Sequence, residues 1–137
     1  MPLYICNSSK GVLNDEAKAS IAQAITDIHC EVTGAPALFV HAVFFEEAPQ
    51  FPLEGNSLFV RGTIRKGRSD AQKNDIADAI RSALIKLGGV APDAADALIR
   101  ETPASWVLEG GEIMPEPGEE AEWFAAQEAK HARSNSS

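Results

Sequence analysis

Apolar residues recur at two different periods along this chain of 137 residues, and the switches between them mark its elements. The run LYIC at Leu3–Cys6 opens the chain as a strand. Polar positions follow, and then Ala17, Ile21, Ala24, Ile25, Ile28 and Val32 form one apolar stripe at helical spacing. Asn14 is the expected N-cap of that helix, and Gly34 its stop. ALFVHAVFF, positions 37–45, reads as a second strand, apolar on both faces and therefore suited to cover from two sides. The order then repeats. LFVRG from Leu58 is a strand, Ser69 and Gln72 make a capping box, and Ile76, Ile80, Ala83, Leu84 and Leu87 form a helical stripe ended by Gly88-Gly89. ALIRE, positions 97–101, is a weaker closing strand.

The second half is a copy of the first. Shifted by 55 residues, Leu3–Ala35 aligns with Leu58–Val90 without a gap and with eight identities in 33 positions, among them Asp15/Asp70, Ile21/Ile76, Ile25/Ile80 and Gly34/Gly89. The pattern predicts an α+β fold in one domain, residues 1–137, with βαβ units at about 2–47 and 57–102 and an extension over 103–137. That extension contains the turn-rich GGEIMPEPG and a last helix from near Glu119 carrying Trp123 and Phe124. Right-handed crossovers put both helices on one face of a single sheet. The opposite, apolar face then needs a cover, which is either a closed homo-oligomer or the C-terminal segment.

Composition narrows the function classes. Apolar residues at 45% and charged residues at 23% are those of a globular domain, and no apolar run reaches the roughly 20 residues that span a bilayer. MPLYICNSSK lacks the basic and apolar regions of a signal peptide, and two cysteines, Cys6 and Cys30, are too few for a disulfide scaffold. The expectation is a cytoplasmic protein with reduced thiols. A net charge of −8 argues against broad contact with nucleic acid or an anionic membrane, and a small acidic substrate would need a local cluster of cations.

Three features break the core pattern. His29 falls where the second copy has Leu84, on the apolar stripe, so it is either a satisfied core histidine or a functional group. In RGTIRKGR, Arg65 and Arg68 stand between a strand end and the Ser69 cap. There a guanidinium fork grips a carboxylate beside a helix N-terminus, or simply faces water in a turn. Pro2 becomes a free secondary amine once Met1 is removed, held at the start of a core strand. If the two halves pair through their first strands running antiparallel, Pro2 neighbours Arg65 and Arg68. Glu109, in ASWVLEGG, either closes such a pocket or is a surface carboxylate.

Taken together, MPLYICNSS, AKASIAQAITDIH with its TG, FVRGTIRKGRSD and PEPGEEAEWF resemble the tautomerase superfamily, and within it the cis-3-chloroacrylic acid dehalogenase-like subgroup. The resemblance implies a homotrimer of tandem βαβ units in a mixed four-stranded sheet, with neither cofactor nor metal. It implies that Pro2 is the catalytic proline, that His29, Arg65 and Arg68 bind the substrate carboxylate, and that Glu109 activates water. One position departs: where the family's dehalogenases and hydratases carry a water-orienting tyrosine, this chain has Leu98, which has no donor or acceptor. The resulting expectation is proton transfer on a small 2-keto or unsaturated carboxylate, a tautomerase-type isomerase. The alternatives are a weak hydratase or dehalogenase of three-carbon acids and a non-catalytic trimeric module that binds a small acid.

Overall fold

A computed structural model describes the backbone of residues 2–109, 111–113, 115–116 and 118–135, with the side chains of all these but Glu109 and 131–135. Strands β1 (Leu3–Ser8), β2 (His41–Glu46), β3 (Leu58–Arg65) and β4 (Ala95–Thr102) form one mixed sheet in the order β2-β1-β3-β4. The outer pairs are parallel, as a βαβ crossover requires, and the central pair β1–β3 is antiparallel. Helices α1 (Asp15–Thr33) and α2 (Asp70–Gly88) share one face. Strands β5 (Leu108–Glu109) and β6 (Glu112–Ile113) pair as a small hairpin, and α3 (Glu120–Asn135) is the last described element.

The helix signals act as the sequence suggests. Asn14 accepts from the Ala17 N–H at 2.7 Å, Ser69 and Gln72 close a reciprocal capping box, and Gly34 and Gly89 end the helices at φ 73° and 65°. The core is the layer between helices and sheet. Ile21 and Ile25 of α1 and Ile76, Ile80 and Leu84 of α2 pack on Tyr4, Cys6, Leu58, Val60 and Ile64, all but removed from water.

One expectation about the second strand is corrected. Ala37–Phe39 is a 3-10 turn and not strand, because Pro36 starts a chain reversal closed by the Phe39 N–H on the Pro36 carbonyl and the Val40 N–H on the Ala37 carbonyl. That turn buries Phe39 against Trp123 and Phe124 of α3. Within the single chain strand β2 is an edge strand covered on one face, and Val43 and Phe45 of its other face are 40% and 37% exposed. The weak last strand is longer than ALIRE, since pairing with all of β3 carries it from Ala95 to Thr102.

Among the described residues, the sheet face away from α1 and α2 is covered only at its ends. The 47–57 loop crosses one end, held by Asn7, whose side-chain amide donates to the Ala48 and Phe51 carbonyls at 2.9 and 2.8 Å. The C-terminal segment reaches Arg65 at the other. Between them Val43, Phe45 and Leu98 stay open to solvent.

Candidate active site

Register places the candidate residues. Pairing of β1 with β3 sets Leu3 opposite Thr63, so Pro2, buried and one residue earlier, runs beside Ile64 at the end of β3 that leads into Arg65. The Pro2 carbonyl accepts from the His41 N–H at 3.0 Å, which fixes the first residue of the strand.

His29, at the inner face of the last turns of α1, comes to this end of the sheet through Tyr4. The Tyr4 ring lies directly on Gly62, its partner in β3: a Cβ at position 62 would stand 2.4 Å from the Tyr4 ring. Glycine in a strand interior is the mark of such a close approach. The phenol so placed reaches 2.7 Å from His29 Nδ1, with the two rings edge-on. Burial, and to a lesser extent Cys30, pushes the Tyr4 hydroxyl well above its ordinary pKa, so it keeps its proton and is able both to donate to Nδ1 and to accept from it. Donation by the phenol goes with the tautomer of neutral His29 that carries its proton on Nε2. Burial, then the charges of Arg68 and Arg65, lowers the His29 pKa to about 4. At neutral pH the imidazole is therefore an uncharged donor.

The two arginines differ. Arg65 is 4% exposed and already paired: Nη2 donates to Glu120 at 2.9 Å and Nη1 to the Pro115 carbonyl. Arg68 is half-buried, and its Nη1 makes a long 3.4 Å bond to the Thr33 carbonyl at the end of α1. The turn that carries it is fastened on both sides: the Lys66 N–H donates to the Thr102 carbonyl at 2.8 Å, and the Gln72 side-chain amide to that of Val32 at 3.2 Å. Burial pulls the Arg68 pKa down, Arg65 adds to this, and Glu120 opposes it.

Not every candidate joins this cluster. The backbone of Glu109 lies in β5 opposite Glu112, and its side chain is outside the described residues. Leu98 pairs with Arg61 four positions from the Arg65 level, which is about 13 Å along the strand. A hollow of about 400 Å³ lined by Lys73, Ala77, Leu98 and Ile99 opens along that edge, away from Pro2. Sequence reasoning missed three residues here. Tyr4 read only as a strand apolar and Gly62 drew no notice, although a glycine inside an apolar strand was a signal. Glu120 was one acid among several in an acidic extension. The thiols take no part: burial pushes Cys6 up to about 12, and burial and Asp27 raise Cys30.

Comparison with known proteins decides the family. Residues 1–128 match the family described as "Putative oxalocrotonate tautomerase enzyme". The chain belongs to this tautomerase family. Its fold is similar to that of N1, a member of the cis-3-chloroacrylic acid dehalogenase family, at TM-score 0.81 and 29% identity over 98% of this chain and 99% of that one. The native protein Ps01740 is 36% identical over 79% of this chain and all of that one, at TM-score 0.69. A fused 4-OT, a symmetric trimer, shares the fold at TM-score 0.70 and 20% identity over 82% of this chain and 95% of that one. Among proteins of curated function none matches. No described helix of this tautomerase-family chain is long and apolar enough to cross a membrane.

Proposed function

We propose that this tautomerase-family protein is an enzyme using an amino-terminal proline to move a proton within a small 2-keto or unsaturated carboxylate. The observation that carries this reading is the β1–β3 register, which sets Pro2 beside the strand end leading into Arg65. After removal of Met1, Pro2 would be a secondary amine with a reference pKa near 8, drawn down by burial and by two guanidinium groups. The neutral amine takes a proton from the carbon next to the keto group and returns it at carbon or oxygen. His29, donating through Nε2, and the arginine pair Arg65 and Arg68 hold the carboxylate and the enolate charge that develops. Glu109 keeps the role that the family resemblance gives it, a carboxylate for water.

A trimer is part of this proposal. Val43, Phe45 and Leu98 line the uncovered centre of the sheet, and a fused 4-OT of the same fold is a symmetric trimer. Sedimentation should give three times 14.6 kDa, and a monomer at micromolar concentration contradicts it. A cytoplasmic setting fits the two free cysteines. Addition of water to three-carbon acids is the second reading, favoured by the likeness to a cis-3-chloroacrylic acid dehalogenase family member and opposed by Leu98. Exchange of the C3 hydrogens of 2-oxobutanoate in D2O, followed by NMR, tests the first reading. A screen with propiolate and 3-haloacrylates tests the second.

A further inference from the structure

The anion at Arg65 is supplied by the chain itself. Both terminal nitrogens of its guanidinium are used, one by Glu120 Oε1 and one by the Pro115 carbonyl, and the side chain is 3% exposed. Glu120 is held in turn, because its other oxygen accepts from the Gly118 N–H at 2.8 Å. Burial pushes its pKa up, but the backbone N–H groups of Glu120 and Gly118 and the bond to Arg65 outweigh that and hold it low, so the group is a carboxylate at neutral pH. The helix behind it is pinned independently: the Trp123 indole donates to the Ile113 carbonyl at 2.7 Å, and Phe124 stacks on Phe39 with centroids 5.6 Å apart.

We propose that Glu120 is a specificity-determining residue, a tethered carboxylate seated on Arg65 that an incoming small acid must displace. The inference rests on the reading above, in which the arginine pair receives the substrate carboxylate. Chemistry supports it, since the occupant bears the same group as the ligand. A tethered group competes at an effective concentration in the millimolar range or higher, so the apparent affinity of any free acid falls by the fraction of time Glu120 is away. A simple alkanoate gives Arg65 no more than Glu120 does and gains little by exchange. An acid with a second oxygen function beside its carboxylate also bonds Arg68 and His29, and that surplus drives Glu120 off. The site would thus select 2-keto acids and diacids over plain monocarboxylates.

Two measurements test this, using 2-oxobutanoate and acetate as probes on the full chain. The first is amide hydrogen exchange across 118–128 of the unaltered protein, which should speed up several-fold when 2-oxobutanoate saturates and hardly change with acetate. The second is calorimetric affinity in Glu120→Gln, expected to tighten about ten-fold for 2-oxobutanoate and more for acetate, which narrows the preference. If 2-oxobutanoate binds with unchanged exchange in 118–128, or binds Glu120→Gln no tighter, Glu120 is a fixed anchor and the proposal is overturned while the carboxylate site stands. If neither probe nor a diacid such as malonate binds either protein, the carboxylate site itself is wrong and the proposal falls with it. The exchange measurement decides the matter even if the variant does not fold.

Discussion

The Tyr4 hydroxyl stands at hydrogen-bond distance from His29 Nδ1, 2.7 Å, across 25 residues of sequence and between the first strand and the end of the first helix. With the phenol as donor, this bond selects the tautomer whose Nε2–H faces away from the tyrosine. Tyr4→Phe should free the tautomer and leave a buried acceptor unsatisfied, costing about 1–3 kcal/mol of stability. Thermal unfolding and 15N NMR of the His29 ring would report the two effects separately. A histidine spectrum that keeps the Nε2–H form in Tyr4→Phe would show that something else sets it.

Gly62 is what lets the ring lie there. Gly62→Ala puts a methyl within 2.4–2.9 Å of Tyr4 and Ile99 carbons, so the core must shift. Overpacking of this kind costs about 1–3 kcal/mol, and the variant should share the histidine signature of Tyr4→Phe. A variant as stable as the parent, with His29 unaltered, would mean that the ring has room to move.

Stability should fall with acid in a window set by His29. Its folded pKa is lowered to about 4 from an ordinary 6.5, so between these values the unfolded chain binds a proton that the folded one refuses. The contribution is complete above pH 6.5 and is lost as the pH falls towards 4, at about 1.4 kcal/mol per pH unit. Unfolding midpoints in urea from pH 7 to 4 should drop less steeply in His29→Gln. Parallel curves would place the titration elsewhere.

The structure separates the two arginines of the candidate site. Arg65→Ala strips Glu120 and the Pro115 carbonyl of a buried partner and should cost about 1.5–3 kcal/mol of stability besides its effect on substrate. Arg68→Ala should leave the melting temperature nearly unchanged and lower kcat/KM roughly ten- to hundred-fold, for loss of one charge-assisted contact. Equal melting losses in the two variants would contradict the asymmetry.

Much of the fold was legible because local signals and long-range pairing agree. The offset repeat, the Asn14 and Ser69 caps and the Gly34 and Gly89 stops each fix an element within a few residues, whereas antiparallel pairing of the two first strands was a condition that the duplication left open and the structure meets. The 3-10 turn at Ala37–Phe39 was hidden because its apolar residues suit a strand equally well, and what turns them is Phe39 packing on a helix more than 80 residues later. Pro2, His29, Arg65 and Arg68 were legible as departures from the core pattern. The Glu120–Arg65 pair was not, since a carboxylate at the start of a helix is ordinary in sequence and acquires meaning only from what it meets. Leu98 was placed by resemblance at a water-orienting position, yet in its own chain it stands about 13 Å from the Arg65 level. Leu98→Tyr can therefore restore water addition only where assembly brings the strand of one protomer to the site of another.

The most direct test of the account concerns Pro2. Intact mass should show loss of Met1, and that protein should exchange the C3 hydrogens of 2-oxobutanoate with D2O, followed by NMR. Pro2→Ala retains a free amine but not the rigid secondary one, and its exchange rate should be lower by about 10² to 10⁴. Retained Met1, or exchange as fast in Pro2→Ala as in the parent, would contradict proton transfer by the amino-terminal proline.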